Sequence, residues 1–355
     1  MHFGFYLPFP SGHRALPLTY ENYLNGCGFS GTEASVLEIG RRLVRDGHQV
    51  TVCTGAHTGR DVAGISYISN FTPDVLESLD FFTPLFYDTA AVHDIIGQLR
   101  NQPQTMVAIW LHCYLSDEAI RALQRSAASR SFMLIAVSRP VAAAVAHLQL
   151  PTYVVPNGIS AEIFQVPSQW SMRGSHCVFF ATLERGGAVA ARVAKAVGRK
   201  LVFATYFNTD ARHSLSKKEL RRLLETCDYF IYPLVLPGDA AVPYAVHHDT
   251  YACCVHEAMA AGVIVVTWDV ACFRDVYGDN VVLVPPPTCD GYDPRARFGA
   301  NPAMASDAAV QLLADAVRAL DSDPIKKEDL RCRARQWAFA HTWEHSYAEF
   351  GQVGR

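Results

Sequence analysis

Short apolar runs that end in Gly, Pro or small polar residues and alternate with helix-period segments predict an α/β protein with mostly parallel sheets covered on both faces. Two further observations set its scale. The chain has 355 residues, half of them apolar and 18% charged, which supports more core than one domain usually organises. The alternation is broken once, at Pro156-Asn157-Gly158, and then begins again. Two similar α/β domains are therefore expected, residues 1–157 and 158–330, followed by a terminal segment, 331–355.

The first series predicts a strand over His2 to Leu7, a helix over Thr32 to Gly47 and a strand over Gln49 to Thr54. Later strands are expected at Thr105 to Leu111, Met133 to Val137 and Tyr153 to Val155. Asn157-Gly158 supplies turn chemistry, and the linker is expected between about Pro156 and Ser175, because residues 165–174 contain Pro167 and little apolar periodicity. The second series predicts strands at Cys177 to Thr182, Lys200 to Ala204, Tyr229 to Tyr232, Val263 to Thr267 and Val281 to Val284. A final helical stretch, Leu330 to Phe350, carries Trp337, Phe339, Trp343, Tyr347 and Phe350, aromatic surface that must pack against something.

A formal net charge of -3 leaves no electrostatic footprint for nucleic acid. The basic runs Lys217-Lys218 and Arg221-Arg222 read as solvated helix faces. The ten cysteines are scattered without a Cys-x-x-Cys pair, as reduced core thiols would be. The N-terminus lacks a basic segment and a long apolar one, and no run of 18 apolar residues occurs. A cytoplasmic protein is expected, with peripheral membrane contact left open and the sequon Asn70-Phe71-Thr72 idle.

Chemistry concentrates between His248 and Gly262. Asp249 and Thr250 are N-cap residue types, an Ala-rich run follows, and Gly262 ends it, which predicts a helix with both ends written in sequence. Its first amide groups, around Ala252 to Val255 and including Cys253 and Cys254, would face an anion such as a diphosphate with the positive end of the helix dipole. Glu257 follows Asp249 by eight residues, roughly 12 Å along a helix. The expected geometry has Asp249 reaching a sugar, Glu257 a ribose, and the diphosphate between them.

This segment resembles the signature of the group 1 retaining glycosyltransferases (family 4): two acids separated by seven residues, then Ala258-Met259-Ala260-Ala261-Gly262 in the family's Ala-x-Ala-x-Gly pattern. The first acid here is Asp249 where the family usually has Glu. The resemblance implies the GT-B fold, two Rossmann-like domains facing a central cleft, with an N-terminal acceptor domain, a C-terminal donor domain and a terminal helix packing back on the first domain. Asp249 then contacts sugar hydroxyls and Glu257 the donor ribose, with Thr250, Cys253 and Cys254 beside them.

Cys177 to Gly187 resembles the strand and basic loop of the same family, in which a cation neutralises the diphosphate; Arg185 takes that role, with the Gly186-Gly187 backbone. The family's upstream Gly-Arg is replaced by Ala181-Thr182. Phe29-Ser30-Gly31-Thr32-Glu33 is similar to the loop facing the donor phosphates, and it places Gly31 there, although Glu33 also completes a capping box with Ser30. His112, after the run Trp110-Leu111, corresponds to a histidine facing the sugar. Residues 58–104 align with little of the pattern.

The activity implied is transfer of a sugar from a UDP- or GDP-sugar to a hydroxyl acceptor (a glycan, lipid or small molecule), with retention and with no required metal or other cofactor. Gly26, Gly28 and Gly31 match Gly-x-Gly-x-x-Gly without directly ending a strand, so no dinucleotide cofactor is expected. Neither His247-His248-Asp249 nor Cys253-Cys254 has a zinc spacing, and Ser138 lacks a nucleophile's Gly-x-Ser-x-Gly context. Two alternatives stay open: a nucleotide-sugar epimerase on the same fold, and a non-catalytic nucleotide-sugar-binding partner subunit.

Overall fold

The computed structural model describes residues 1–7, 18–25, 29–54, 58–86, 104–128, 131–164, 175–180, 185–204, 215–234, 249–270, 272–287 and 302–354. Residues 165–174 of the expected linker, the loop residues Ala181 to Glu184, Gly26, Gly28, His247 and His248 lie outside them, while the described part of that linker forms the short helix Ala161–Phe164. The chain forms two compact units. One comprises Met1–Asn157 with Trp343–Arg355, and the other Gly158–Thr342.

The first unit holds an eight-stranded sheet built from β1 (His2–Tyr6), β2 (Gln49–Cys53), β3 (Gly59–Arg60), β4 (Ser66–Ile68), β5 (Phe81–Phe86), β6 (Met106–Leu111), β7 (Met133–Ala136) and β8 (Thr152–Val154). Its order is β3-β4-β2-β1-β5-β6-β7-β8, parallel except for the short β3/β4 pair. The apolar strands β1, β5 and β6 are buried as near-continuous runs, as parallel strands covered on both faces require. The order turns back at β1, which lies between β2 and β5, and the helix Gly31–Arg45 follows β1 in the chain.

One central strand escaped the sequence reading. β5 sits between β1 and β6, yet it contains Pro84, which lacks a ladder donor and argues against a central strand. The sheet accommodates it locally. Against β6 the ladder pairs Phe81, Phe82, Leu85 and Phe86 and passes over Thr83 and Pro84, and against β1 Pro84 is the last pair, opposite Tyr6.

The expected single helix from Leu330 to Phe350 is broken. Pro324–Ala340 is one helix and Trp343–Phe350 another, with His341 and Thr342 between them. Each part buries its aromatics in a different place. Pro324–Ala340 stays with the second unit, whereas Trp343–Phe350 lies in the first, where Phe350 stacks 5.8 Å from both Phe81 and Trp110 and about as far from Phe3 and Phe5 (6.3 and 6.2 Å). Glu344 pairs with Arg42 and Arg45, and the Tyr347 hydroxyl donates to Asp46 at 2.9 Å, fixing the returning helix to Gly31–Arg45.

The second unit holds a five-stranded parallel sheet: β9 (His176–Phe179), β10 (Leu201–Phe203), β11 (Cys227–Tyr232), β12 (Ile264–Trp268) and β13 (Val282–Val284), in the order β10-β9-β11-β12-β13. Its order reverses between β9 and β11. Crossover connections leave such neighbouring strands in opposite directions, opening a crevice at their carboxyl ends where ligands of open α/β sheets bind.

Candidate active site

The carboxyl end of β9 leads toward Arg185, and that of β11 carries Tyr232, so both residues belong to the reversal point. Gly186 caps the helix Gly187–Ala196 with φ of 104°, a left-handed conformation that glycine alone adopts without strain. It provides no side-chain acceptor to the helix start. Tyr232 is followed by Pro233 and by Leu234, whose φ of 43° is also left-handed. For a branched side chain that costs about 1–2 kcal/mol, strain of a kind that clusters at functional sites.

Asp249 is drawn into this corner. One of its carboxylate oxygens pairs with the Arg185 guanidinium, and the other accepts a hydrogen bond from the Tyr232 hydroxyl at 2.5 Å. Burial raises the Tyr232 hydroxyl far above its ordinary titration range, so it remains a donor. The structure thus joins two of the three expected catalytic residues directly and adds Tyr232. The sequence signal for Tyr232 was its place as the last residue of an apolar strand before a proline.

The helix itself begins later than expected. It spans Cys253–Ala260 with Ala252 as N-cap, so Asp249 and Thr250 precede it in extended or bent backbone and neither caps it. The 1.5 Å rise therefore does not measure the separation of Asp249 from Glu257. Ala252 supplies no side-chain acceptor to the helix start, whereas the Tyr277 hydroxyl holds the Ala252 carbonyl at 2.9 Å. The C-terminus follows expectation: Val263 N–H bonds Ala258 O and Gly262 N–H bonds Met259 O, a Schellman closure with Gly262 at φ of 71°.

Glu257 is 5% exposed and forms an ion pair with Lys217. This corrects the reading of Lys217 as part of a solvated face. Lys217 is the first residue of the helix Lys217–Glu225, whose capping box joins Ser216 and Glu219, and it turns inward while Lys218 and Arg222 face solvent. The preceding residue, His256, is fully buried and sits between two groups. A carbonyl only accepts, so Nε2–H donates to Ala338 O at 3.0 Å and Nδ1 accepts from the Tyr251 hydroxyl at 3.1 Å. Trp337 stacks against it at 5.1 Å, which is where one of the terminal aromatics is used.

Cys253 and Cys254 are half-buried at the start of the same helix. Desolvation, reinforced by the Glu257 carboxylate, pushes the Cys254 thiol up to about 12, so it is protonated at neutral pH. A protonated thiol is a poor nucleophile and metal ligand. None of the described cysteines forms a disulfide; Cys53, Cys177, Cys227 and Cys272 are buried, but Cys332 is exposed, unlike the core thiol expected there. Among the described residues, no group of three or more His, Cys, Asp or Glu side chains could hold a metal.

The remaining expected residues belong to the first unit. Gly31 opens the Gly31–Arg45 helix, where Ser30 and Glu33 form the anticipated capping box, with Ser30 N–H donating to Glu33 at 2.6 Å. His112 follows β6, at the carboxyl edge of the sheet, 5.1 Å from Trp110. Desolvation pushes its imidazole down to about 3, so it is neutral across the physiological range.

Comparison with known proteins gives this geometry a class. The family described as Glycosyltransferase Family 4 matches residues 29–163. No curated protein matches the sequence. Among solved structures, AviGT4, a glycosyltransferase involved in avilamycin A biosynthesis, is 15% identical with a TM-score of 0.55, covering 99% of this chain and 98% of that one. An Escherichia coli structure described as trehalose-6-phosphate bound with UDP-2-fluoro glucose is 11% identical with a TM-score of 0.61, covering 99% and 98%. An α-glucosyltransferase in complex with UDP and a 13-mer DNA containing an HMU base is 10% identical with a TM-score of 0.57, covering 99% and 98%. At these identities the likeness is one of fold. The chain thus has the fold of GT-B glycosyltransferases, and residues 29–163 match the family model, in agreement with the expected resemblance.

Proposed function

We propose that the protein transfers a sugar from a nucleoside diphosphate sugar, with UDP or GDP as the nucleotide, to a hydroxyl acceptor, with retention at the anomeric carbon. The observation that carries this reading is the meeting of Arg185, Asp249 and Tyr232 beside the reversal point of the second sheet. Arg185, the Gly186-Gly187 backbone and the start of the Cys253–Ala260 helix, with Thr250, Cys253 and Cys254 nearby, would stabilise the charge developing on the departing diphosphate. This is preorganised electrostatics. Asp249 takes sugar hydroxyls and Glu257 the ribose hydroxyls. In this reading no protein group forms a covalent bond to the sugar, and the protonated Cys254 thiol agrees with that.

The first unit takes the acceptor, with Gly31 and the neutral His112 imidazole as its proposed site residues, and the second takes the donor. Metal and other cofactors are not part of the proposed reaction. The proposed setting is the cytoplasm; no helix among the described residues is long and apolar enough to cross a membrane.

The test is to incubate the protein with a panel of UDP- and GDP-sugars, with and without saccharide acceptors, and to follow nucleoside diphosphate release and the anomeric configuration of the product. An inverted product would remove retention. The Arg185–Asp249 pair also gives substance to a second reading, a donor-binding subunit without turnover, because each group already neutralises the other. Binding of donors with no release from any of them would establish it. For Glu257, the expected result is that Glu257→Gln weakens UDP or GDP binding by roughly tenfold, the loss of one charge-assisted hydrogen bond. Titration calorimetry measures it, and unchanged affinity removes the ribose contact.

A further inference from the structure

We infer that Lys217 is a positioning residue for the donor site, which fixes the Glu257 carboxylate for ribose recognition; the inference rests on the donor-site reading above. The two residues come from different helices, 40 positions apart, and meet as an ion pair in which the side chains are 9% and 7% exposed. Desolvating two such charges costs several kcal/mol each, and apolar replacements of similar volume are often as stable. Stability alone is therefore a weak reason for the pair.

Its placement supplies a better one. Lys217 is the first residue of its helix, and the Ser216–Glu219 capping box fixes the backbone from which the side chain departs. The helix bearing Glu257 is fixed in turn by the Tyr277 bond to Ala252 O and the His256 bond to Ala338 O. A fixed helix start bearing Lys217 and the middle of a fixed helix bearing Glu257 thus hold one lysine–glutamate contact. A carboxylate has roughly four acceptor sites, so one bond from an ammonium sets its orientation without exhausting its capacity for ribose hydroxyls. The lysine's charge also compensates that of the buried carboxylate, and hydrogen bonds to a charged acceptor are the stronger ones.

The consequence is selective for ribose, and it is read by comparing UDP and GDP with their 2′-deoxy counterparts by titration calorimetry. The wild type is expected to favour the ribonucleotide about tenfold or more. Lys217→Met loses most of that preference by weakening the ribonucleotide while leaving the deoxynucleotide within about twofold, and Lys217→Arg restores part of it. The double variant Lys217→Met, Glu257→Gln carries no unpaired buried charge, so it serves where Lys217→Met alone does not fold. It is expected to bind UDP or GDP as Glu257→Gln does.

An unchanged ribo-to-deoxy ratio in folded Lys217→Met overturns the inference and leaves the proposed function standing. So does a double variant about tenfold weaker than Glu257→Gln, since Lys217 would then touch the nucleotide itself. A wild type that binds neither UDP nor GDP overturns the donor-site reading, and this inference with it.

Discussion

Replacing Asp249 with asparagine is expected to tighten UDP or GDP binding by about three- to tenfold while lowering sugar transfer by about 10²-fold. A contact of Asp249 with the sugar alone would leave nucleotide binding unchanged. The structure changes the sign, because Asp249 holds Arg185, and in the proposed donor site a diphosphate would have to exchange for that carboxylate. Arg185 is partly exposed, so the pair is worth only ~1 kcal/mol, which sets the modest gain in affinity. The loss of transfer is larger because, in the proposed reaction, the substitution removes an acceptor for the sugar in the transition state.

Arg185→Ala moves both quantities the same way. Nucleotide binding weakens and transfer falls by about 10²–10³-fold, the usual cost of removing one preorganised charge stabiliser. Opposite effects of the two variants on nucleotide affinity distinguish an exchangeable clamp from a fixed structural salt bridge. Affinity measured by calorimetry and turnover measured by nucleotide release decide it: equal weakening in both variants would sink the exchange.

Acidification is the second large effect. His256 is fully buried, and desolvation pushes its imidazole down to about 3 from an ordinary 6.5. The folded state therefore binds this proton less readily than the unfolded state. The stability tied to neutral His256 is present above pH 6.5 and is lost as pH falls toward the folded value, by about 1.4 kcal/mol per pH unit. Between pH 6.5 and 5 the second unit should lose about 2 kcal/mol from this residue alone, and His112 in the first unit acts in the same direction.

Charging His256 also deprives Nδ1 of its acceptor role toward Tyr251, next to the helix that carries Glu257. Urea unfolding at a series of pH values measures the slope. His256→Gln is expected to be less stable at pH 7 but to lose stability less steeply below 6.5, by about one proton. A variant with the wild-type slope would show that His256 does not set the acid limit.

What could be read beforehand divides by the range of the forces involved. Strands such as β1, β6 and β11 announced themselves through continuous apolar runs because burial on both faces selects residue type locally. Ser30 and Glu33 announced their capping box through a three-residue spacing. Gly262 marked the helix end because its closing bonds span only five residues. β5 did not, since Pro84 is tolerated only because the ladder with β6 passes over it, which is a property of its partner.

The sequence by itself determined the alternation of strands and helices in two α/β halves and marked Arg185, Asp249 and Glu257 as candidates. Only the tertiary structure decided who partners whom. Lys217 reads like any surface lysine until its helix start is laid against Glu257, and Asp249 reads like a cap until Tyr232 and Arg185 take both of its oxygens. The physical reason is that a buried charge is defined by its partner. Partners 17, 40 or 64 residues away are chosen by sheet order and helix packing rather than by spacing along the chain.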